Sequence, residues 1–190
     1  MLTLTNIWIP LLPIIGVLMF ILGYAGYIDN PKSWANRSFC LLTSSVGIWM
    51  FLWVVNEIYI SKYVATEVDP YPFIIFLFET QFYVIALIGP LFLLTILEIS
   101  GFVNSDNRFK VFGVIMLFPI IDYILLSYSL IAGLEWMHLY GPIIDGSFTI
   151  SQGPLYQYYH IPYNYGMILM SYAILVWKAV KPRYALEDFD

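Results

Sequence analysis

Four ionisable side chains stand out inside stretches of sequence that are otherwise apolar, away from the ends nearest the basic loops. Glu57, Glu79 and Asp122 contribute carboxyl groups, and His160 contributes an imidazole. A charged group in hydrocarbon costs about 2.5 kcal/mol or more, so such residues usually face protein or a water-filled cavity. Carboxyl and imidazole groups can hydrogen-bond a ligand or move a proton. These four residues are therefore the first candidates for a functional site.

Each carboxyl group has two readings. Asp122 follows Pro119 by three residues and has no basic residue within a turn, so it is either protonated or hydrogen-bonded to a polar group on a neighbouring helix. Glu57 and Glu79 lie near the outer ends of their helices, where each either reaches the interface or lines a pocket. Tyr83 lies one turn further along the same face as Glu79.

A polar stripe runs along the last apolar stretch, at Gln157, His160, Asn164 and Ser171, with tyrosine hydroxyls beside it. The stripe is either polar glue between helices or the floor of an outer pocket in which His160 meets Asp122 or a glutamate. The predicted ligand-binding residues are Glu57, Glu79, Tyr83, Asp122, Tyr156, Tyr159, His160 and Asn164. The predicted hinges, which could equally be static kinks, are Gly89, Pro90, Pro119 and Pro162.

The sequence contains no catalytic or metal-binding pattern. His138 and His160 lie far apart, without an HExxH or CxxC companion, and no GxSxG or phosphate-binding glycine loop is present. Cys40 is the single cysteine, which excludes an internal disulfide. We therefore expect no catalytic residue, no metal and no cofactor, and the lack of a basic patch argues against a nucleic-acid partner.

The composition is that of a membrane protein. Of the 190 residues, 61% are hydrophobic and 11% charged, compared with roughly 25% charged in a soluble domain. The first apolar run has no basic n-region or small-residue cleavage site, so we interpret it as a retained helix rather than a signal peptide. The length leaves room for several spanning helices and for no appended soluble domain.

Five apolar runs are long enough to cross a bilayer. The sequence therefore predicts an all-α integral membrane protein, a bundle of about five transmembrane helices forming one domain over residues 1–190. The stretch 73–102 combines two glutamates, a glutamine and a mid-span Gly-Pro, which a lipid-facing helix would not carry, so we expect it to be central. The predicted helices are 7–28, 39–61, 73–99, 111–133 and 155–180.

The distribution of lysine and arginine predicts the orientation. Only Lys62 falls on one side of the predicted bundle, and basic residues concentrate on the cytoplasmic side of membrane proteins. We expect the N-terminus outside and the C-terminus inside the cell membrane. The basic residues on the predicted inner side are Lys32, Arg37, Arg108, Lys110, Lys178, Lys181 and Arg183.

The longest connection, from about Leu134 to Gly153, is then extracellular. Asp145-Gly146 stands between residues 142–144 and 147–150, a pattern typical of a β-hairpin with a two-residue turn. We expect a small hairpin over the outer mouth of the bundle. The alternative is an irregular loop lying on the headgroups through Trp136 and Tyr140.

Several motifs resemble the N-terminal seven-helix sensor region of prokaryotic histidine kinases. The resemblance covers nearly the whole chain, in matching order and spacing, and the family's topology also has its N-terminus outside. The motifs are residues 36–57 with Trp49 and the outer Glu57, Gln81-Phe82-Tyr83, residues 89–101 (GPLFLLTILEISG), Phe118-Pro119-Ile120-Ile121, Gly153-Pro154-Leu155-Tyr156 and Tyr163-Asn164-Tyr165.

The resemblance implies a signal-input region that perceives a stimulus and passes it to a cytoplasmic kinase or other output, in cis or in trans, and it suggests a homodimer. The family continues into further helices and a phosphorylatable histidine, whereas this sequence ends after a fifth apolar run. We expect either a piece of a longer sensor or a free-standing partial sensor, not itself an enzyme. From the polar residues themselves, we expect an outer pocket formed by the second to fifth helices and the hairpin, which responds to a small molecule, a peptide or a membrane perturbation. The alternative function is a small transporter or channel subunit that uses Glu79, Asp122 and His160 as an ion path.

Overall fold

A computed structural model describes residues 4–64, 71–134, 136, 138–140 and 150–187. Helices account for most of this part of the chain, as predicted. Each predicted helix is present, with its ends shifted by a few residues. The helices are α1 (Leu4–Asp29), α2 (Trp34–Val64), α3 (Tyr71–Ile99), α4 (Arg108–Ile131) and α5 (Ile161–Glu187).

The second helix begins earlier than the predicted Phe39 because a serine caps it. Ser33 Oγ accepts a hydrogen bond of 3.3 Å from the backbone N–H of Asn36, which satisfies one of the N–H groups that a helix start leaves without a partner. Asn36 and Arg37 therefore belong to the first turn of α2, although the sequence placed them in the loop.

The third helix lies at the centre of the bundle, as its polar residues predicted. It packs against α2, α4 and α5. Half of its span Phe76–Ile99 is buried, compared with 11%, 28% and 22% of the spans in α1, α2 and α4. The core around Ala86, Leu93 and Leu94 brings α3 together with residues of α4 and α5. Any site shared by several helices is therefore built on α3.

The first two helices form a closely packed pair. A Cβ added at Gly47 would lie 3.0 Å from Gly16 O, and one added at Gly23 would lie 3.2 Å from Cys40 Cα. Small residues at these positions let the backbones approach, a common device between membrane helices. These glycines are used within the chain, so they supply no support for the predicted homodimer, which stays a prediction.

The fifth helix differs from the prediction at its start. Residues Tyr156–His160 form a single wide π turn before α5 begins at Ile161. Pro162 follows immediately and has no N–H to donate to the preceding turn, which favours a local change of helical hydrogen bonding. This turn alters which residues of the polar stripe share a face.

Four helices of the described chain are long and apolar enough to cross a membrane, namely α1, α2, α3 and α4. The predicted fifth span is not among them, although its helix is present. Its polar stripe, with Asn164 and Ser171, lowers its hydropathy. The crossing by α5 and the orientation of the bundle stay predictions.

Two short strands precede α5. Strand β1 (His138–Tyr140) pairs antiparallel with β2 (Ile150–Gln152), with Leu139 opposite Ser151. The paired residues lie outside the segments 142–144 and 147–150 that the sequence favoured, except for Ile150. The predicted turn at Asp145-Gly146 falls outside the described residues.

Candidate functional site

A buried hydrogen-bonded group connects α4 to α5. Asp122 Oδ2 lies 2.6 Å from His160 Nδ1 and accepts a hydrogen bond of 2.7 Å from the Tyr163 hydroxyl. The side chains of Asp122 and His160 are 1% and 3% exposed. Of the two alternatives for Asp122, the structure therefore provides the neighbouring polar partner. When Asp122 accepts from both residues, a neutral His160 carries its proton on Nδ1 and has Nε2 as an acceptor.

A second polar contact connects α5 to the backbone of α3. The N–H of Gly89 donates to Asn164 Oδ1 at 2.9 Å, and Asn164 Nδ2 donates to the carbonyl of Ile85 at 2.8 Å. Gly89 N–H and Ile85 C=O are the donor and acceptor that a regular α-helix joins to each other. The Asn164 amide therefore bridges α3 at the turn before Pro90.

The adjacent turn of α3 depends on the same helix. Pro90 has no N–H, so the carbonyl of Ala86 lacks its usual helical donor. The Tyr163 hydroxyl lies 3.3 Å from this carbonyl. Gly89 permits the close approach, because a Cβ there would lie 2.5 Å from the backbone oxygen of Asn164. Asn164 of α5 thus braces the turn before Pro90. The Tyr163 hydroxyl lies close to the freed carbonyl of Ala86, but its single proton makes the shorter bond to Asp122.

An apolar cavity of about 500 Å³ lies between α2, α3 and the start of α5. Aromatic rings form much of its wall, and Gln81, His160 and Asn164 are its buried polar residues. The ring of Tyr156 stacks on His160 with centroids 5.4 Å apart. The lining residues are Trp49, Trp53, Phe78, Gln81, Phe82, Ile85, Ile88, Tyr156, His160, Asn164, Tyr165 and Ile168.

Gln81, His160 and Trp49 supply the free polar atoms of this cavity. The Nε1 of Trp49 is buried without a hydrogen-bond partner in the described part of the chain. Gln81 is 4% exposed and makes no hydrogen bond within the described part of the chain. His160 uses Nδ1 for Asp122, so its Nε2 is the remaining polar atom of the ring. Asn164 is held at both ends of its amide by α3. The cavity wall therefore carries an amide donor, an amide acceptor, an indole donor and, with the imidazole neutral, an imidazole acceptor.

The structure brings together some of the predicted site residues and separates others. Tyr156, His160 and Asn164 line the cavity, and Asp122 supports His160 from behind. Glu79 is buried and Glu57 is partly buried, and neither is among the lining residues. Their role in ligand binding stays a prediction.

Two predicted tyrosines lie at helix interfaces rather than at the cavity. The Tyr83 hydroxyl is 2.7 Å from Ser127 Oγ, which ties α3 to α4. The Tyr159 hydroxyl donates to the carbonyl of Phe118 at 2.9 Å. This carbonyl belongs to the residue before Pro119, so Tyr159 ties the turn before α5 to the backbone of α4.

The remaining hinge candidates differ in their surroundings. Pro119 is fully buried in α4. Pro162 is exposed and lines a separate apolar opening of about 430 Å³ with Tyr163, Gly166 and residues of α3 and α4. Whether any of these prolines moves stays a prediction.

Sequence reasoning did not select Gln81, Trp49, Trp53 or Tyr163 as site residues. A signal for Tyr163 was available, since a proline in a buried helix frees a carbonyl that needs a donor from a neighbour. For Gln81 the signal was an amide inside an apolar run with no obvious partner. The tryptophans carried no specific signal, because aromatic residues occur throughout this chain.

The chain matches the model of the family described as the N-terminal 7TM region of histidine kinase, over residues 11–186. It therefore belongs to this family, as the motifs predicted. No curated protein and no solved structure matches the chain.

The family and the four apolar helices define a multi-pass membrane protein with the lipid bilayer as its surroundings. The family is the sensor region of histidine kinases rather than their catalytic domain. This membership does not favour the alternative of a small transporter or channel subunit.

Proposed function

We propose that this chain is the signal-input region of a histidine-kinase-type sensor and that the cavity between α2, α3 and α5 receives the stimulus as a small molecule. The observation that carries the proposal is that the Asn164 side chain makes two kinds of contact. It lines the cavity and also bridges Gly89 N–H and Ile85 C=O of the central helix. A molecule in the cavity would therefore touch the residue that braces α3.

The coupling follows from this arrangement. A bound molecule that draws Asn164 or His160 toward the cavity weakens the contacts of α5 with Gly89, Ile85 and Asp122. The backbone groups of Gly89 and Ile85 then have each other as helical partners, so α3 can be satisfied both with and without Asn164. A ligand with different affinity for the two arrangements shifts their populations.

The shift is passed along α3 and α5 to their predicted inner ends. α3 leads through the short turn 100–107 into α4, and α5 continues to Glu187. A small displacement of packed helices is a common form of switching in proteins. The displacement would reach a cytoplasmic kinase or other output domain, in cis or in trans, in a homodimer of the sensor.

A cavity-filling substitution tests this proposal. Ile168→Trp places a large side chain into the cavity, whereas Leu169→Trp adds the same side chain at a neighbouring residue that is 67% exposed on the bundle surface. Both variants are placed at the native locus, and genome-wide transcript profiles are compared with those of wild type and a deletion strain. Growth conditions are those under which the deletion changes the profile.

We expect Ile168→Trp to change the profile, toward that of the deletion or toward constitutive output, while Leu169→Trp leaves it unaltered. Membrane levels of each variant are measured by immunoblot. Wild-type output from an Ile168→Trp protein that is present at normal level would overturn the proposal, because a filled cavity could not then be the input site.

A further inference from the structure

The composition of the cavity wall restricts the charge of any occupant. Among the residues that the structure describes, no aspartate, glutamate, lysine or arginine lines this cavity. A charged ligand would leave its hydration without gaining an ionic partner, which is unfavourable in an apolar site. The occupant that this wall accommodates best is therefore neutral.

The shape and the rim of the cavity indicate a ring-bearing molecule that arrives through the membrane. Its volume of about 500 Å³ lies within the range of small-molecule sites. Trp49, Phe78 and Phe82 are among its lining residues. Trp53 and Tyr165 are 43% and 59% exposed at the bundle surface, so the wall is reached from the side within the predicted span. Aromatic walls favour offset or edge contacts with another ring.

The free polar atoms select the functional group on that ring. His160 Nδ1 lies 2.6 Å from Asp122 Oδ2, so a neutral imidazole donates from Nδ1 and accepts at Nε2. Gln81, which has no hydrogen-bond partner among the described residues, offers an amide N–H as donor. One hydroxyl group satisfies both residues, because it donates to His160 and accepts from Gln81. A hydrocarbon would leave both buried polar groups without partners, at a cost in affinity.

We infer that the ligand of this cavity is a neutral, membrane-soluble phenol, whose ring packs among the aromatic wall residues and whose hydroxyl bonds to His160 Nε2 and Gln81. The inference rests on the proposed function for its role in signalling. The binding chemistry itself depends only on the cavity.

Brominated aromatic probes test the inference, because bromine quenches tryptophan fluorescence on contact. The chain is purified in phosphatidylcholine nanodiscs and titrated with 4-bromophenol, bromobenzene and 4-bromobenzoate. These probes share a ring and differ in the polar group and its charge. Two of the six tryptophans, Trp49 and Trp53, line the cavity. Quenching of the other four measures the probe dissolved in lipid.

We expect 4-bromophenol to give a saturable component that disappears in the Trp49→Phe, Trp53→Phe double variant. Bromobenzene should give only non-saturable quenching, and 4-bromobenzoate should give no cavity component. Gln81→Met keeps the side-chain size and should weaken 4-bromophenol binding about fivefold through the loss of one hydrogen bond. Gln152→Met makes the same chemical change at an exposed position of β2, where the backbone oxygen rather than the side chain accepts from Gln157, and should leave binding unchanged.

Equal, non-saturable quenching by 4-bromophenol and bromobenzene would overturn the inference, as would unchanged 4-bromophenol affinity in Gln81→Met. The two proposals fail separately. If Ile168→Trp alters output while 4-bromophenol does not saturate, the input site stands and the phenol assignment falls. If 4-bromophenol saturates while a filled cavity leaves output intact, the binding site stands and the signalling role falls.

Discussion

Two contacts between a carboxylate and a basic side chain lie in opposite settings. Asp122 and His160 meet inside the bundle, with side chains 1% and 3% exposed. Glu98 and Arg108 meet at the turn between α3 and α4, with side chains 11% and 25% exposed. Both contacts are short, with closest distances of 2.6 Å and 2.7 Å. Distance alone therefore does not distinguish them.

The difference lies in what surrounds each pair. Asp122 also accepts from Tyr163, and its other oxygen, Oδ1, is buried without a hydrogen-bond partner in the described part of the chain. Arg108 holds Glu98 through two nitrogen atoms and also lies over the ring of Trp34. Loss of one member leaves buried polar atoms unpaired in the first case and water-accessible atoms in the second. The buried pair, Asp122 and His160, should therefore contribute to stability, and the surface pair, Glu98 and Arg108, should contribute much less.

Replacement of Asp122 should give the largest effect. In Asp122→Leu the imidazole of His160 and the hydroxyl of Tyr163 lose their shared acceptor, and we expect a loss of about 3 kcal/mol in the free energy of unfolding. SDS-induced unfolding of the protein in mixed micelles measures it. Asp122→Asn keeps an acceptor oxygen and should lose less, while Ile120→Leu, at a surface position of the same helix, serves as control. Equal stability of the leucine and asparagine variants would contradict the importance of the acceptor oxygen in the buried pair.

The second largest effect should come from a substitution that separates α5 from α3. In Gly89→Ala the new methyl group would lie 2.3 Å from Asn164 Oδ1 and 2.5 Å from its backbone oxygen. The helices must separate, and overpacking of this kind costs about 2 kcal/mol. Gly113→Ala, where an added Cβ meets nothing within 4 Å, is the matched control. The same SDS titration should show destabilisation for Gly89→Ala alone, and similar midpoints for both would place the close contact in doubt.

Removal of the Asn164 amide should lower the free energy of unfolding by less than either change above. Asn164→Leu has a similar volume and loses both hydrogen bonds to α3, but Gly89 N–H and Ile85 C=O can pair with each other afterwards. We expect a loss of about 1 kcal/mol in the free energy of unfolding. A loss as large as that of Asp122→Leu would mean that α3 cannot close its own hydrogen bond. Tyr165→Phe, at the neighbouring exposed residue, is the control.

Replacement in the surface pair, Glu98 and Arg108, should give the smallest effect. Glu98→Gln removes the charge that faces Arg108, and we expect a smaller shift of the unfolding midpoint than in any variant above, shrinking further as salt is raised. Asp106→Asn alters an exposed acid of the same turn and provides the comparison. A Glu98→Gln effect that equals that of Asp122→Leu and persists at high salt would remove the distinction between the two pairs.

The sequence predicted the helices and the central position of α3 for a simple reason. Apolar length decides what can cross a bilayer, and carboxyl groups, amides and a proline in one apolar run require neighbouring protein. Asp122 and His160 could also be matched, since a lone aspartate in a span needs a polar partner and His160 is the one histidine in the predicted spans. The family motifs agreed with this reading over most of the chain.

The rotation of each helix about its own axis could not be predicted from the sequence in the same way. The spans are apolar on nearly all faces, so periodicity does not reveal which side faces protein. Glu57 and Glu79 share the depth of the cavity but are not among its lining residues. The wide turn at Tyr156–His160 also changes the phase of α5, so that Tyr163 reaches Asp122 while Tyr159 reaches Phe118.

By itself, the sequence determined that this protein is a helical membrane protein of the histidine-kinase 7TM family, because composition, span length and motif order are local properties of the chain. The tertiary structure alone decided that Asn164 bridges Gly89 and Ile85 and that Gln81 and His160 share a cavity. These contacts join residues about 75 to 80 positions apart. Their geometry depends on the rotation and close approach of α3 and α5, which apolar sequences leave open and packing fixes.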